Sequence, residues 1–109
     1  MHELAVTDAI VAGVCERLGP ARVRRVTLEV GALSAVMPDA LRFCFDVCAQ
    51  GTCLEGAVLE IHEVPGHASC RSCGEQFETR ILLAACRCGS LDLDIVGGEQ
   101  LLVRSVEVE

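Results

Sequence analysis

Four cysteines in the second half of the chain have the spacing of a metal site. The stretch CRSCGEQFETRILLAACRCGS contains a Cys-x2-Cys pair, twelve further residues and a Cys-x-Cys pair, which supply Cys70, Cys73, Cys86 and Cys88. Four thiolates so placed can close a tetrahedral zinc site, and Gly74 and Gly89 directly after each pair permit tight turns. The sequence therefore predicts a structural zinc site in a segment too short to bury a core of its own.

The second cysteine pair is irregular and leaves the fourth ligand open. A zinc ribbon normally has Cys-x2-Cys in both turns, whereas here only Arg87 separates Cys86 from Cys88. His67, three residues before Cys70, is the alternative fourth ligand. We expect Cys86 to be the ligand, because sulfur is the better zinc donor, and His67 to be a linker residue.

The N-terminal triplet Met-His-Glu is a second candidate metal site. The free amine of Met1, a deprotonated amide nitrogen and the imidazole of His2 would form fused chelate rings with three nitrogens nearly in one plane. That arrangement suits square-planar Ni(II) or Cu(II) rather than tetrahedral zinc, and Glu3 or a nearby acid can supply a fourth ligand. The alternative is that His2 and Glu3 are solvated residues at a helix start, where negative charge favours the helix dipole.

The other cysteines are expected to belong to the core. Cys15, Cys44, Cys48 and Cys53 are scattered through the first half of the chain. Cys44 and Cys48 are four residues apart on a predicted helix, so a metal pair is the alternative there. Cysteine otherwise behaves as a small hydrophobe, and a cytosolic chain keeps its thiols reduced.

Apolar periodicity defines the elements that must hold these sites. A helical period runs from Leu4 to Leu18, and a second follows Pro38 and ends at Gly51. Alternation predicts strands at 23–31 and 57–64, and strand composition returns at 100–109. The predicted fold is α+β, with two helices packed on a three-stranded sheet and a zinc ribbon inserted before the last strand. The predicted domains are a nickel-binding α+β domain, 1–66 with 98–109, and a zinc-ribbon domain, 67–97.

Composition restricts the partners and the compartment. The 109 residues carry sixteen acidic side chains against nine arginines, a net charge of −7, which repels nucleic acid. The longest apolar run, from Ile81 to Cys86, is too short to span a bilayer, and no signal segment is recognisable. We therefore expect a cytoplasmic protein with neither a nucleic acid nor a membrane as partner.

Taken together, these features resemble the HypA/HybF family of hydrogenase maturation factors. The resemblance rests on MHE, on VGALSAVMPDALRFCFDV, on GTCLEGAVLEIHEVPGHASC and on the cysteine segment followed by a strand. It implies a nickel metallochaperone, not an enzyme, with Met1, His2 and Glu3 as the nickel site. It also implies a structural zinc site able to relay metal status to the nickel end, and it implies a HypB-type GTPase and the [NiFe]-hydrogenase large subunit as partners. Aligning the final CGS places Ala85 where the family has its third cysteine, with Cys86 one residue late.

Two rival functions come from other classes. A zinc-ribbon adaptor that binds nucleic acid or a protein machine would need a basic face, yet the ribbon's only cations are Arg71, Arg80 and Arg87. A zinc enzyme with an open coordination position would need a general base and a pocket, for which a short ribbon has little room. The sequence leaves open a monomer or a homodimer, and leaves open whether urease is also served.

Overall fold

The computed structural model describes residues 2–109, with His2 described by its backbone alone. Met1 lies outside the described residues. The elements are α1 (His2–Leu18), β1 (Val23–Gly31), α2 (Pro38–Ala49), β2 (Val58–Val64), β3 (Gly66–Cys70), β4 (Gln76–Thr79), β5 (Leu93–Gly97) and β6 (Leu101–Val108). The predicted α+β class is confirmed. Neither described helix has the length and apolar character needed to span a membrane.

The larger sheet has the strand order β2-β1-β6, with β1 at its centre. β1 runs parallel to β2, where Leu28 lies opposite Ile61, and antiparallel to β6, where Val26 lies opposite Val106. Parallel neighbours need a long crossover connection, and α2 forms it between β1 and β2. The last strand thus joins the two earlier ones, as its composition predicted.

The hydrophobic core lies between this sheet and the two helices. Val26, Leu28 and Val30 of β1 are 0%, 1% and 1% exposed. Against them pack apolar residues of both helices, among them Val11, Val14, Leu41 and Phe45. Cys44 is buried, and Cys15, Cys48 and Cys53 pack half-buried at the margin of the core. The expectation that these four cysteines belong to the core is confirmed.

The segment between β2 and β6 forms a second sheet, with the strand order β4-β3-β5 and antiparallel pairing throughout. We call residues 67–97, which include most of this sheet and all four clustered cysteines, the ribbon. The sequence predicted an insertion at this place but only short turns within it. The strands were missed because they are only four or five residues long and have little of the apolar alternation in sequence that identifies a strand.

The two sheets meet where three glycine backbones come into close contact. A Cβ added at Gly31, the last residue of β1, would overlap the carbonyl of Gly98. A Cβ added at Gly98, whose φ is +86°, would overlap the backbone of Gly66 at the start of β3. Hydrogen bonds hold this contact: the amide of Leu33 donates to the Gly98 carbonyl at 2.8 Å, and that of Gly31 donates to the Gln100 carbonyl at 2.8 Å. We call this contact of Gly31, Gly66 and Gly98 the glycine crossing.

Gly31→Ala should therefore destabilise the fold. The added methyl group meets backbone atoms, which cannot move aside as a flexible side chain can, so we expect a loss of about 2–3 kcal/mol in the free energy of unfolding. Gly13→Ala is the matched control, because Gly13 lies in α1 with no atom near the added Cβ, and alanine should stabilise the helix by about 0.5–1 kcal/mol. Denaturant unfolding followed by circular dichroism measures both changes. Equal stability of the two variants would contradict the close contact.

Candidate metal centres

Two tight turns carry the cysteines of the ribbon, and they differ by one residue. In the first, the Gly74 amide donates to the Cys70 carbonyl at 2.8 Å, four residues back. In the second, the Gly89 amide donates to the Cys86 carbonyl at 2.7 Å, three residues back. Both glycines have positive φ, 78° and 92°, as their places after the cysteine pairs predicted. The missing residue of the Cys-x-Cys pair is thus accommodated by a shorter turn.

The turns bring the four sulfur atoms of Cys70, Cys73, Cys86 and Cys88 within 4.8 Å of one another. The sulfurs of Cys70 and Cys88 are 3.7 Å apart, and those of Cys73 and Cys86 are 3.6 Å apart. In a tetrahedral zinc site with Zn–S bonds of about 2.3 Å, neighbouring sulfurs are about 3.8 Å apart. The donor set and its spacing therefore fit a four-thiolate metal site.

His67 is not part of this cluster. It lies on β3, exposed, with Glu78 and Gly97 as its neighbours on the adjacent strands. Among the described residues, the four cysteines form the one group of three or more metal-ligating side chains close enough to share an ion. The geometry therefore favours Cys86 over His67 as the fourth ligand.

Two thiols of the cluster have pKa values shifted in opposite directions. The backbone amide of Cys73 is the main group that lowers the pKa of Cys70, to about 6. The backbone amide of Cys88 also lowers the pKa of Cys86, but burial and the three neighbouring thiols outweigh it and raise that pKa to about 12. The Cys70 thiolate is thus stabilised, whereas ionisation of all four thiols needs a nearby cation. A divalent metal would supply that charge, so its binding releases protons and weakens as the pH falls.

The ribbon has almost no core besides the cluster. Its buried hydrophobic residues are Ala68, Cys70 and Cys86, so two of the three are candidate ligands. Folding free energy from apolar burial is correspondingly small, and metal binding is the interaction that can replace it. Cys73 and Cys88 are exposed, which leaves the cluster open to an ion from solvent.

Polar side chains connect the two cysteine turns, and the sequence did not predict these contacts. The Ser72 and Ser90 hydroxyls are 2.9 Å apart. Glu75 accepts a hydrogen bond from Arg87 Nε at 3.0 Å and lies 3.8 Å from the sulfur of Cys86. Arg71 pairs with Asp92 and Asp94. Since these groups are largely exposed, each pair adds little stability, but together they orient the turns.

At the N-terminus the structure begins α1 at His2, and Glu3 occupies an unexpected position. Its side chain is only 8% exposed, and its Oε2 accepts a hydrogen bond of 3.4 Å from the Met37 amide, directly before α2. The Glu3 carbonyl accepts a hydrogen bond of 2.6 Å from the Thr7 hydroxyl. The alternative of a solvated helix start is therefore wrong for Glu3, because tertiary contact with α2 buries it. Met1 and the His2 side chain lie outside what the structure describes.

We expect Cys86→Ser to lose most of the metal bound by the ribbon and His67→Ala to retain it. Serine removes one of four sulfur donors, whereas His67 is remote from the cluster. Elemental analysis after dialysis should give about one ion per chain for the wild type and His67→Ala, and far less for Cys86→Ser. Circular dichroism should show the helices intact in both variants, since neither residue belongs to the core between the larger sheet and the helices. If His67→Ala lost the metal and Cys86→Ser retained it, His67 and not Cys86 would be the fourth ligand.

Comparison with known proteins covers the whole chain. The family model described as "Hydrogenase/urease nickel incorporation, metallochaperone, hypA" matches residues 1–108. A "Hydrogenase maturation factor HypA" from Trichormus variabilis is 56% identical over 109 residues, which are 100% of this chain and 96% of that relative. A protein of the same name from Geobacter metallireducens is 47% identical over 111 residues, 100% of both chains.

The fold is also similar to a solved structure. The solution structure of the "Ni metallochaperone HypA from Helicobacter pylori" aligns with a TM-score of 0.67 and covers 99% of this chain and 97% of that one. Sequence identity in this alignment is 21%, so the likeness shows a shared fold. It extends over both sheets and both helices.

Proposed function

Because the chain belongs to the HypA family of nickel-incorporation metallochaperones in hydrogenase maturation, we propose that it binds Ni(II) through Met1, His2 and Glu3 and delivers it to [NiFe]-hydrogenase. The observation that carries this proposal is the position of Glu3, held at the start of α1 by its contact with the Met37 amide. That contact holds the first turn of α1 against the residue that precedes α2, which supports a fixed position for Glu3 as a nickel ligand.

The chemistry of the triplet suits nickel as a transported ion. The α-amine, the amide nitrogen and the imidazole offer three nitrogen donors in fused rings, and the carboxylate of Glu3 is an oxygen donor next in the chain. Binding requires the amine, whose ordinary pKa is about 7.7–8.0, and a backbone amide to lose their protons. Affinity should therefore decrease as the pH falls below neutrality, which gives a route to release.

We propose Zn(II) as the resident ion of the four-cysteine cluster, with a structural role. The ion would be held by Cys70, Cys73, Cys86 and Cys88 and would supply the cross-link that the small ribbon core lacks. In this organisation 1–66 with 98–109 form the nickel-binding α+β domain, and 67–97 form the zinc-ribbon domain. The glycine crossing is the connection through which the two parts can sense each other.

The partners follow from family membership. A maturation factor works with other maturation proteins, and we propose a HypB-type GTPase and the hydrogenase large subunit as those partners. The two rival functions explain less, since neither an adaptor nor a zinc enzyme accounts for a family match that begins at residue 1. The net charge of −7 also opposes binding to nucleic acid.

His2→Ala should abolish or greatly weaken nickel binding while the zinc content is unchanged. The substitution removes the imidazole and the chelate ring that it closes. An N-terminal extension should have the same effect by converting the amine into an amide, whereas a C-terminal extension without histidines should be harmless. Calorimetric titration with Ni(II) measures the affinities of four proteins: the untagged wild type, His2→Ala, and the N-terminally and C-terminally extended proteins. Equal affinity in all four would place the nickel site elsewhere.

Glu3→Gln distinguishes two roles of Glu3, a nickel ligand and an anchor of the helix. The glutamine oxygen can still accept the hydrogen bond from Met37, so the melting temperature should change little, but the negative charge and the better donor are lost. We expect nickel affinity to fall about tenfold or more, ~1.4 kcal/mol. Glu16→Gln is the matched control, an exposed acid on the same helix. If Glu3→Gln binds nickel as tightly as Glu16→Gln, Glu3 only anchors the helix.

A further inference from the structure

We propose that Cys15 and Cys53 form a reversible disulfide that links α1 to the turn before β2, a modification site separate from both metal centres. Their sulfur atoms are 2.6 Å apart although the residues are 38 positions apart in the chain. Sequence reasoning placed each of them separately in the core. Outside the four-cysteine cluster, theirs is the one sulfur–sulfur contact among the residues that the structure describes.

The backbone on both sides is positioned for this bond. Cys15 lies in the last turn of α1, where its carbonyl accepts a hydrogen bond of 3.0 Å from Gly19. The Cys53 carbonyl accepts one of 2.9 Å from the amide of Val23, the first residue of β1. A disulfide has an S–S bond of about 2.05 Å, so the sulfurs need to approach by only about half an ångström. Rotation of the two side chains is the motion that would bring the sulfurs together.

The closing reaction is a thiol–disulfide exchange with a small disulfide, RSSR, as the oxidant. One protein thiolate attacks RSSR, forms a mixed disulfide and releases RS⁻. The second protein thiolate attacks the protein sulfur of that mixed disulfide and releases a second RS⁻. The two cysteines lose two electrons and two protons in total, and RSSR becomes two RSH. Both sulfurs belong to half-buried residues, so a small disulfide can reach them more readily than a protein can.

The environment of Cys15 and Cys53 sets the rate at which the disulfide forms. Burial raises the pKa of Cys53, and the adjacent Cys15 thiol raises it further; the backbone amide of Cys53 and the charge of Arg22 oppose this rise without cancelling it. A raised pKa leaves less thiolate at neutral pH, and the thiolate is the attacking species. Closure should therefore be slow at neutral pH and should accelerate as the pH increases. Such a pair responds to a sustained increase in the ratio of disulfide to thiol in its surroundings rather than to a brief pulse of oxidant.

The bond would stabilise the α+β part without using any metal ligand. It closes a long loop that includes β1 and α2, and a long loop gives a disulfide its largest effect on the unfolded chain. Because α1 begins at His2 and Cys15 lies in its last turn, the link would fix the end of the helix that is remote from the proposed nickel site. The inference does not depend on nickel binding, and it survives if the nickel proposal fails.

The test uses the untagged, zinc-loaded chain incubated with oxidised glutathione. Trypsin cleaves after Arg17, Arg42 and Arg71, so Cys15 falls in peptide 1–17 and Cys53 in peptide 43–71. Mass spectrometry without reduction should find these peptides linked and two hydrogens lighter than their sum. The melting temperature should increase by roughly 10 °C and return after dithiothreitol treatment, and the zinc content should stay constant.

Variants assign the link to one cysteine, because peptide 43–71 also contains Cys44, Cys48 and Cys70. The linked peptides should be lost in Cys53→Ser and in Cys15→Ala and should persist in Cys48→Ser, the matched control from the same margin of the core. Persistence of the link in Cys53→Ser overturns the proposal. So does the absence of any linked peptide after prolonged oxidation, or a link that appears only as zinc is released.

Discussion

The two sheets can be joined only because three glycine backbones come into contact. At the glycine crossing, Gly31 ends the central strand, Gly66 begins β3 and Gly98 returns the chain to the last strand. An added Cβ would overlap Leu33 and the Thr79 carbonyl at Gly66, and the Gly66 backbone at Gly98. At Gly31 it would overlap the Gly98 carbonyl and so separate β1 from the chain that leads into its partner strand. The last strand could then not pair with the central one, so the core beneath the sheet and the position of the ribbon both depend on this contact.

On either side of that contact, stability comes from different interactions. The α+β part has a core of buried aliphatic residues from both helices and the central strand, as a domain of this size requires. The ribbon buries one alanine and two of its cysteines. The backbone amide of Cys88 lowers the pKa of Cys86, but burial and hydrogen bonds with the neighbouring thiols outweigh it and raise that pKa to about 12, so this thiol does not ionise at neutral pH without a cation. The proposed metal ion would supply that charge and cross-link the segment, so that binding of the ion and folding of the ribbon would depend on each other.

α1 connects the features that matter for function. Its first turn contains Glu3, which is buried against the start of α2, and its last turn contains Cys15, which touches Cys53. Both ends are thus fixed by tertiary contacts with the segment that follows the first strand. Glu3, which makes the first of these contacts, is also one of the proposed nickel ligands.

The sequence by itself determined whatever depends on local spacing. Apolar periodicity predicted both helices and two strands of the larger sheet, and strand composition predicted the third. The cysteine spacing predicted the four-sulfur cluster, even with its short second turn. These succeeded because a helix, a strand or a chelating turn is specified by residues a few positions apart. Only the tertiary structure decided the parallel pairing of β1 with β2, the burial of Glu3, the contact between Cys15 and Cys53 and the glycine crossing. Each of these joins residues roughly thirty or more positions apart, and such contacts arise from packing, which leaves no period in the sequence.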